Sequence, residues 1–125
     1  MDLKRFDQRI SVVVLTCNRA DELTTTLEHL LALPENPPIV VADNGSSDGT
    51  VALVRKRFPM VRVIECGGNL GAAGRNRAVA CVRTDYVAFC DDDTWWAPGS
   101  LEHAVQLLDA WPTVGVLSAR VAVGD

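Results

Sequence analysis

The sequence lacks the features that would place the chain across a membrane or in a disulfide-rich scaffold. No apolar stretch reaches the ~18 residues that cross a bilayer, and the N-terminal residues MDLKRFDQR do not form a signal peptide. The four cysteines show no C-x-x-C spacing. We therefore expect reduced thiols, no zinc site and no transmembrane segment, in a protein of the cytoplasm or of the cytoplasmic face of a membrane.

The sequence also lacks an excess of positive charge. It contains 12 Lys and Arg residues against 16 Asp and Glu residues, which gives a net charge of −4. Binding to a phosphate backbone needs clustered Lys and Arg side chains. The one dense basic cluster, at residues 55–57, is typical of a solvated helix end, so we expect no nucleic-acid partner.

Repeats, low-complexity tracts and internal linkers are absent as well, and the 125 residues fit one domain. Hydrophobic residues make up 48% of the chain and charged residues 22%, as in an ordinary globular protein. We expect an N-terminal extension over residues 1–9 and a single domain over residues 10–125.

Short apolar runs alternate with helical patterns along the domain. Leucines 23, 27, 30 and 31 share one helical face, and three more helical patterns follow. The alternation predicts an α/β fold, a mostly parallel sheet with helices on both faces. The predicted strands cover residues 10–16, 39–43, 61–65, 86–90 and 114–121.

Polar residues follow each of the first four predicted strands. In parallel α/β sheets, ligands bind outside the carboxyl ends of the strands. Each polar exit alone is compatible with a helix cap or a turn, but four at one edge favour a ligand site. The candidate residues are Thr16, Asn18 and Arg19 after the first strand, Asp43 and Asn44 after the second, Arg75 after the third, and Asp91, Asp92 and Asp93 after the fourth.

The triplet Asp91-Asp92-Asp93 is the sharpest of these signals, because adjacent carboxylates repel each other. At about 4 Å the repulsion costs about 1 kcal/mol in water and about 4 kcal/mol at an effective dielectric of 20. The carboxylates are therefore either solvated or held by a cation. Aspartate oxygens suit Mg²⁺ or Mn²⁺, which proteins bind through one or two carboxylates together with substrate phosphates.

The sequence contains neither of two common phosphate-binding motifs. The sequence contains no G-x-x-x-x-G-K-[ST] loop, so it is not a P-loop protein. Its glycines have the spacing G-x-x-G-x-x-G and follow the third strand, which argues against a nicotinamide enzyme. Arg75 and Arg77 lie in the helix that follows, where one of them can face a diphosphate or a base.

Four segments together resemble, in order and spacing, the N-terminal half of family 2 glycosyltransferases of the GT-A fold. The combination of DNGSSDGT with a D-x-D that ends an apolar strand is more specific than either part. The resemblance implies a Rossmann-like domain that binds a nucleotide-diphosphate sugar of the UDP or dTDP type, with a sugar or lipid-linked saccharide as acceptor. The segments are SVVVLTCNRADELTTTLEHL, VVADNGSSDGT, GGNLGAAGRN and DYVAFCDDDTWWAPGSL.

The resemblance also implies roles for the exit residues. Thr16, Asn18 and Arg19 would line the nucleotide pocket, Asp43 would accept a base N–H, and Asn44 belongs to the same donor-binding set.

At the other exits, Arg75 would approach the base and phosphates, and Asp91 or Asp92 would contact the ribose. Asp93, with Asp91, would ligate the Mn²⁺ or Mg²⁺ that bridges the donor diphosphate.

The chain departs from the family pattern in two respects. Cys17 stands where an aromatic or other residue usually precedes the asparagine, and no candidate for the general base is found before Asp125. The implied reaction is an inverting sugar transfer to a hydroxyl, with the base outside the chain. Trp95 and Trp96 are candidates either for an acceptor site or for packing.

Three other functions remain open at this stage. A nucleotidyltransferase should have a Gly-rich loop with a basic residue directly after the first strand, which TCNRADE does not supply. A receiver domain should cluster its acids after the first and third strands and needs a lysine after the fifth. A non-catalytic nucleotide-binding fragment is compatible with every motif.

Overall fold

Four strands form one parallel sheet in the computed structural model, which describes residues 6–124. Their order is β3-β2-β1-β4, and every pairing among them is parallel, as the alternating pattern predicted. The strands are β1 (Ile10–Thr16), β2 (Ile39–Asp43), β3 (Arg62–Glu65) and β4 (Tyr86–Asp91).

The helices cover both faces of this sheet unequally. Helices α1, α2 and α4 pack on one face, and α3 packs on the other, against β1 and β2. In the described part of the chain, no helix is long and apolar enough to cross a bilayer. The helices are α1 (Ala20–Leu31), α2 (Thr50–Arg57), α3 (Gly74–Val79) and α4 (Ser100–Ala110), with short 3-10 helices at Phe6–Gln8 and Gly71–Ala73.

The main core lies between the sheet and α1. Alternate residues of β1, Val12 and Val14, face this core because successive side chains of a strand point to opposite faces. The predicted leucine face of α1 is confirmed, since Leu23, Leu27 and Leu30 are fully buried there. Burying each leucine contributes roughly 1.5–3 kcal/mol, so the contact between α1 and the sheet is a main source of stability.

The opposite face of the sheet is only partly covered. Helix α3 has six residues, and the small core beneath it centres on Val13, Ala42 and Ala78. The edge strand β4 lies beyond this cover, and its Phe89 is 47% exposed. Strands β1 and β2 are therefore buried on both faces of the sheet, whereas β4 is not.

The predicted fifth strand at residues 114–121 is wrong. Residues 112–124 form no strand or helix, and Val116 and Val121 are 84% and 76% exposed. A strand is stabilised by its neighbours in a sheet, and this segment pairs with none of the described strands. The alternation of apolar residues alone therefore did not predict its structure.

The cysteines are free thiols in the structure, as expected. Cys66 and Cys90 lie in the packed layers, and burial raises the pKa of both thiols, that of Cys90 to about 12. These two cysteines serve packing.

Polar contacts at both ends fix α4 to the sheet. At its beginning, Glu35 Oε2 accepts hydrogen bonds from the backbone N–H groups of Leu101 (3.1 Å) and Glu102 (3.2 Å). A buried carboxylate of the α1–β2 loop thus caps α4, and its negative charge interacts favourably with the positive end of the helix dipole. The sequence analysis did not identify Glu35, because a cap supplied by a distant loop leaves no local pattern.

At the other end of α4, Asp109 joins a small ionic cluster. Tyr86 Oη donates to Asp109 Oδ1 (2.6 Å), and Arg9 Nη2 donates to the same oxygen (2.6 Å). Arg9 Nε also donates to Asp85 (2.8 Å). The hydrogen bond from Tyr86 and then that from Arg9 lower the pKa of Asp109 below its ordinary value of 3.8.

The Asp109 cluster predicts an acid-sensitive part of the stability. Because the folded-state pKa of Asp109 is lowered, its contribution is present above pH 3.8 and is lost as the pH falls through the folded-state value. We expect Asp109→Asn to reduce the fall in melting temperature between about pH 5 and pH 2, measured by circular dichroism. Glu102→Gln, on the same exposed helix surface, is the charge-matched control; equal acid profiles for Asp109→Asn and wild type would contradict the prediction.

Gly74, the first residue of α3, predicts a packing-sensitive position. A Cβ atom there would lie 2.5 Å from Asn44 Oδ1 and 2.8 Å from Leu15 Cδ1, and Asn44 is itself held by hydrogen bonds. We expect Gly74→Ala to lower the free energy of unfolding by about 1–3 kcal/mol in chemical denaturation. Gly115→Ala, where an added Cβ meets no atom within 4 Å, is the control and should be nearly neutral.

Candidate functional site

The carboxyl ends of β1, β2 and β4 lie side by side at one edge of the sheet. Thr16 is in register with Asp43 of β2, and Leu15 with Asp91 of β4. Polar residues that are 27 to 76 positions apart in sequence are therefore in direct contact. The convergence predicted from the parallel sheet is present.

Asp92, the middle residue of the triplet, points into the protein and is 7% exposed. Its carboxylate accepts a hydrogen bond from Thr16 Oγ1 (2.9 Å) and one from Arg19 Nε (3.0 Å). Its carbonyl oxygen accepts from Thr26 Oγ1 of α1 (2.7 Å). Asp92 thus joins β4 to β1 and α1.

Burial controls the ionisation of Asp92. Desolvation raises the pKa of its carboxyl group, and the Thr16 hydrogen bond and the charge of Arg19 act in the opposite direction. The neighbouring Asp93 raises the pKa further. The charged form of Asp92 therefore depends on Thr16 and Arg19.

The outer members of the triplet, Asp91 and Asp93, are exposed and have arginine partners. Arg75 Nη2 of α3 donates to Asp91 Oδ1 (2.9 Å), and Arg19 Nη2 donates to Asp93 Oδ2 (3.3 Å). The repulsion among the three carboxylates is therefore offset in this structure by two guanidinium groups. The sequence analysis assigned both arginines to the nucleotide and did not predict these pairs. The adjacent strand exits did indicate that the arginines and aspartates would lie close together.

The exits of β1 and β2 form one joined loop structure. Asn18 has a left-handed backbone (φ 53°), and its Oδ1 accepts from Ser47 N (2.7 Å) while its own N–H donates to Ser46 Oγ (2.8 Å). Asp43 accepts from Ser46 N (3.0 Å) and Ser46 Oγ (2.5 Å). Each oxygen of Asp43 retains a further lone pair, so these contacts leave acceptor capacity for a ligand.

Asn44 joins this loop to the glycine-rich segment. Its side chain is buried, and Nδ2 donates to the carbonyl oxygen of Gly71 (3.0 Å). Cys17 Sγ donates to the Asn44 carbonyl oxygen (3.3 Å), so the thiol packs against the β2 exit. Gly45 (φ +79°) approaches Gly68 so closely that a Cβ would lie 3.0 Å from its Cα. Asn44 therefore acts on the site by positioning the glycine-rich loop.

The two tryptophans, just after the acid triplet, contact α1 and the main core. Trp95 stacks on His29 in the last turn of α1, with ring centroids 3.8 Å apart and planes at 13°. Trp96 packs against the main core. Of the two roles weighed for this pair, the contacts favour packing.

The exposed carboxylates of Asp91 and Asp93 fit a divalent cation by their chemistry. Their side chains are 65% and 54% exposed, and their oxygens are hard ligands at alternate positions of the chain. Within residues 6–124 no three His, Cys, Asp or Glu side chains are arranged to hold a metal ion by themselves. A cation at this edge would therefore take its further ligands from water or from a phosphate-bearing substrate.

Known proteins are similar to this chain in sequence and in fold. The sequence profile described as "Glycosyl transferase family 2" matches residues 11–125. N-acetylglucosaminyl-diphospho-decaprenol L-rhamnosyltransferase of Mycobacterium tuberculosis is 31% identical over 129 residues, covering 93% of this chain and 42% of that protein. UDP-Glc:alpha-D-GlcNAc-diphosphoundecaprenol beta-1,3-glucosyltransferase WfaP of Escherichia coli is 26% identical, covering 80% and 41%. The chain thus spans less than half the length of these relatives.

Solved structures show the same architecture. The mannosyltransferase PcManGT from Pyrobaculum calidifontis, in complex with GDP-Man and Mn²⁺, superposes with a TM-score of 0.75 at 31% identity, over 86% of this chain and 34% of that one. S. aureus TarS in complex with UDP-GlcNAc gives 0.71 at 27% identity, over 82% and 31%. The chain therefore belongs to glycosyl transferase family 2, and its parallel sheet is that of the N-terminal half of the GT-A fold.

Proposed function

We propose that the strand exits form the donor site of a metal-dependent, inverting glycosyltransferase. Its donor is a nucleotide-diphosphate sugar of the UDP or dTDP type, and its acceptor is a hydroxyl of a sugar or a lipid-linked saccharide. The observation that carries the proposal is the meeting of three aspartates and two arginines where β1 and β4 end beside α3. Family membership and the nucleotide-sugar complexes of the neighbours support it.

The joined β1–β2 exit provides the nucleotide pocket in this proposal. Thr16, Asn18 and Arg19 border it from β1, and Asp43 accepts a base N–H with an oxygen lone pair that Ser46 leaves available. Asn44 holds the glycine-rich loop against the pocket. The hydrogen bonds between the two loops preorganise this surface, which reduces the entropy lost on binding.

The acid triplet divides into an anchor and a ligand pair. The buried, hydrogen-bonded carboxylate of Asp92 supports an anchoring role, so the ribose contact falls to Asp91 rather than Asp92. Asp93, with Asp91, forms a D-x-D pair for Mn²⁺ or Mg²⁺. When bound, the cation stabilises the negative charge that develops on the leaving diphosphate. Arg75 lies beside Asp91, within reach of the same phosphates.

Acceptor binding and the general base are proposed to lie outside these residues. Each carboxylate of the candidate site already serves a donor-side role or a loop contact, as the bonds of Asp43 and Asp92 illustrate. The chain also covers only 42% of its rhamnosyltransferase relative and 41% of WfaP. Because both relatives are named for polyprenyl-diphosphate-linked substrates, we propose that the whole protein works at the cytoplasmic face of a membrane.

Binding of UDP is expected to require a divalent cation. Asp93→Ala should abolish the enhancement of UDP affinity by Mn²⁺, which we expect to be about tenfold or more. Asp43→Ala should weaken UDP binding about 10- to 100-fold, the effect of losing a hydrogen bond to a charged group, while the Mn²⁺ enhancement persists. Isothermal titration calorimetry with Mn²⁺ and with EDTA measures both effects.

Asp21→Ala is the control for these variants, because Asp21 is exposed in the first turn of α1 and carries the same charge. Melting curves of all three variants establish that each is folded. Equal UDP affinity of the wild type in Mn²⁺ and in EDTA would contradict the metal site, and identical behaviour of the Asp93 and Asp43 variants would contradict the division of roles.

The 125-residue chain is expected to bind donor but transfer little sugar. General-base assistance is worth about 10²- to 10⁴-fold in rate, so transfer should be slower by at least that factor than in a longer form that covers the full length of the relatives. Slow hydrolysis of the donor is the expected residual activity, because water needs no acceptor pocket. A radiolabelled transfer assay on both forms measures the ratio, and equal turnover would show that the base lies within these residues.

A further inference from the structure

The guanidinium group of Arg19 bridges two carboxylates that differ in burial. Its Nε atom contacts Asp92, which is buried and held by Thr16, and its Nη2 atom contacts Asp93, whose side chain is 54% exposed. One end of the guanidinium group is thus attached to a fixed partner and the other to an exposed one. Nη2 can release Asp93 while Nε keeps Arg19 in the site.

We infer that Arg19 is a positioning residue that couples cation binding to nucleotide binding. In the nucleotide-free protein it holds the Asp93 carboxylate, and a divalent cation must displace this contact. The released Nη2 then faces the diphosphate that accompanies the cation. The inference rests on the proposed donor site and adds the order in which its charges are exchanged.

A count of charges explains why the exchange requires both ligands. The three carboxylates of the triplet and their two partners, the guanidinium groups of Arg19 and Arg75, together carry a charge of −1. A divalent cation alone raises the sum to +1 and leaves Arg19 close to a like charge. A diphosphate brings negative charge to both the cation and the released guanidinium. Metal and nucleotide should therefore bind much more tightly together than separately.

The contacts of Arg19 and Arg75 suit them to different parts of this exchange. Arg75 donates a single hydrogen bond from α3 to the exposed Asp91 (2.9 Å). The buried member of the triplet, Asp92, is not among the described contacts of Arg75. Among the described contacts, Arg19 alone touches both the anchor, Asp92, and one of the two proposed metal ligands, Asp93. Arg19 therefore has the larger effect on coupling.

The test measures Mn²⁺ binding by electron paramagnetic resonance, with and without UDP, in wild type and Arg19→Gln. Without UDP, Arg19→Gln should bind Mn²⁺ on the order of fivefold more tightly, since a nearby positive charge is removed. With UDP, that gain should disappear or reverse, because the diphosphate loses its guanidinium partner. The ratio of the two affinities, which measures the coupling, should fall on the order of tenfold.

Arg83→Gln removes the same charge from the exposed loop that precedes β4 and should change neither affinity. Arg19→Lys keeps the charge but cannot span both carboxylates, so it should lose coupling without the gain in Mn²⁺ affinity. The midpoint of thermal unfolding identifies any variant that fails to fold, and Arg19→Lys then carries the test.

The outcomes separate this inference from the donor site itself. Unchanged or weaker Mn²⁺ binding by Arg19→Gln, in a protein that still binds Mn²⁺ and UDP together, overturns the role of Arg19 alone. Equal changes in Arg83→Gln also overturn it, because they show an effect of net charge. A wild type that binds no UDP in the presence of Mn²⁺ overturns the proposed function instead.

Discussion

The hydrogen bond from Thr16 to the buried carboxylate of Asp92 links β1 to the edge strand β4 at the carboxyl ends of the strands, where the candidate site lies. It brings a charge into the packed region between β1, β4 and α1, where an unpaired carboxylate is costly. Arg19, which donates to the carboxylate, and Thr26 Oγ1, which donates to the carbonyl oxygen of Asp92, complete the environment of this residue. The positions of Asp91 and Asp93 follow, because each is one peptide unit away from this anchor.

The main features of the fold could be predicted because local pattern and global structure agree. The β-branched run of β1 and the leucine spacing of α1 point to the same core, and parallel strands bring their exits to one edge. The candidate residues of the site followed from that rule and the family resemblance. Their partners did not follow, because which arginine meets which aspartate depends on side-chain directions that the sequence spacing leaves open.

Two further features show the limits of sequence pattern. The segment 114–121 alternates like a strand, but a strand needs a neighbour, and pairing is a property of the whole sheet. Glu35 is an acidic residue in a proline-rich loop by sequence, and its role as the cap of α4 depends on a contact across 66 positions. Asp92 belongs to the same group: only the fold distinguishes it from the exposed aspartates on either side.

Strand β4 is at one edge of the sheet among the described strands, and the short α3 leaves its Phe89 exposed on the uncovered face. The outer backbone groups of such a strand are free to accept another strand, and natural proteins usually protect them with charge, bulges or cover. In β4 the charge comes only at its last residue, Asp91. Among the described strands, β4 therefore offers an edge at which a further strand can pair, and the exposed ring of Phe89 lies beside it.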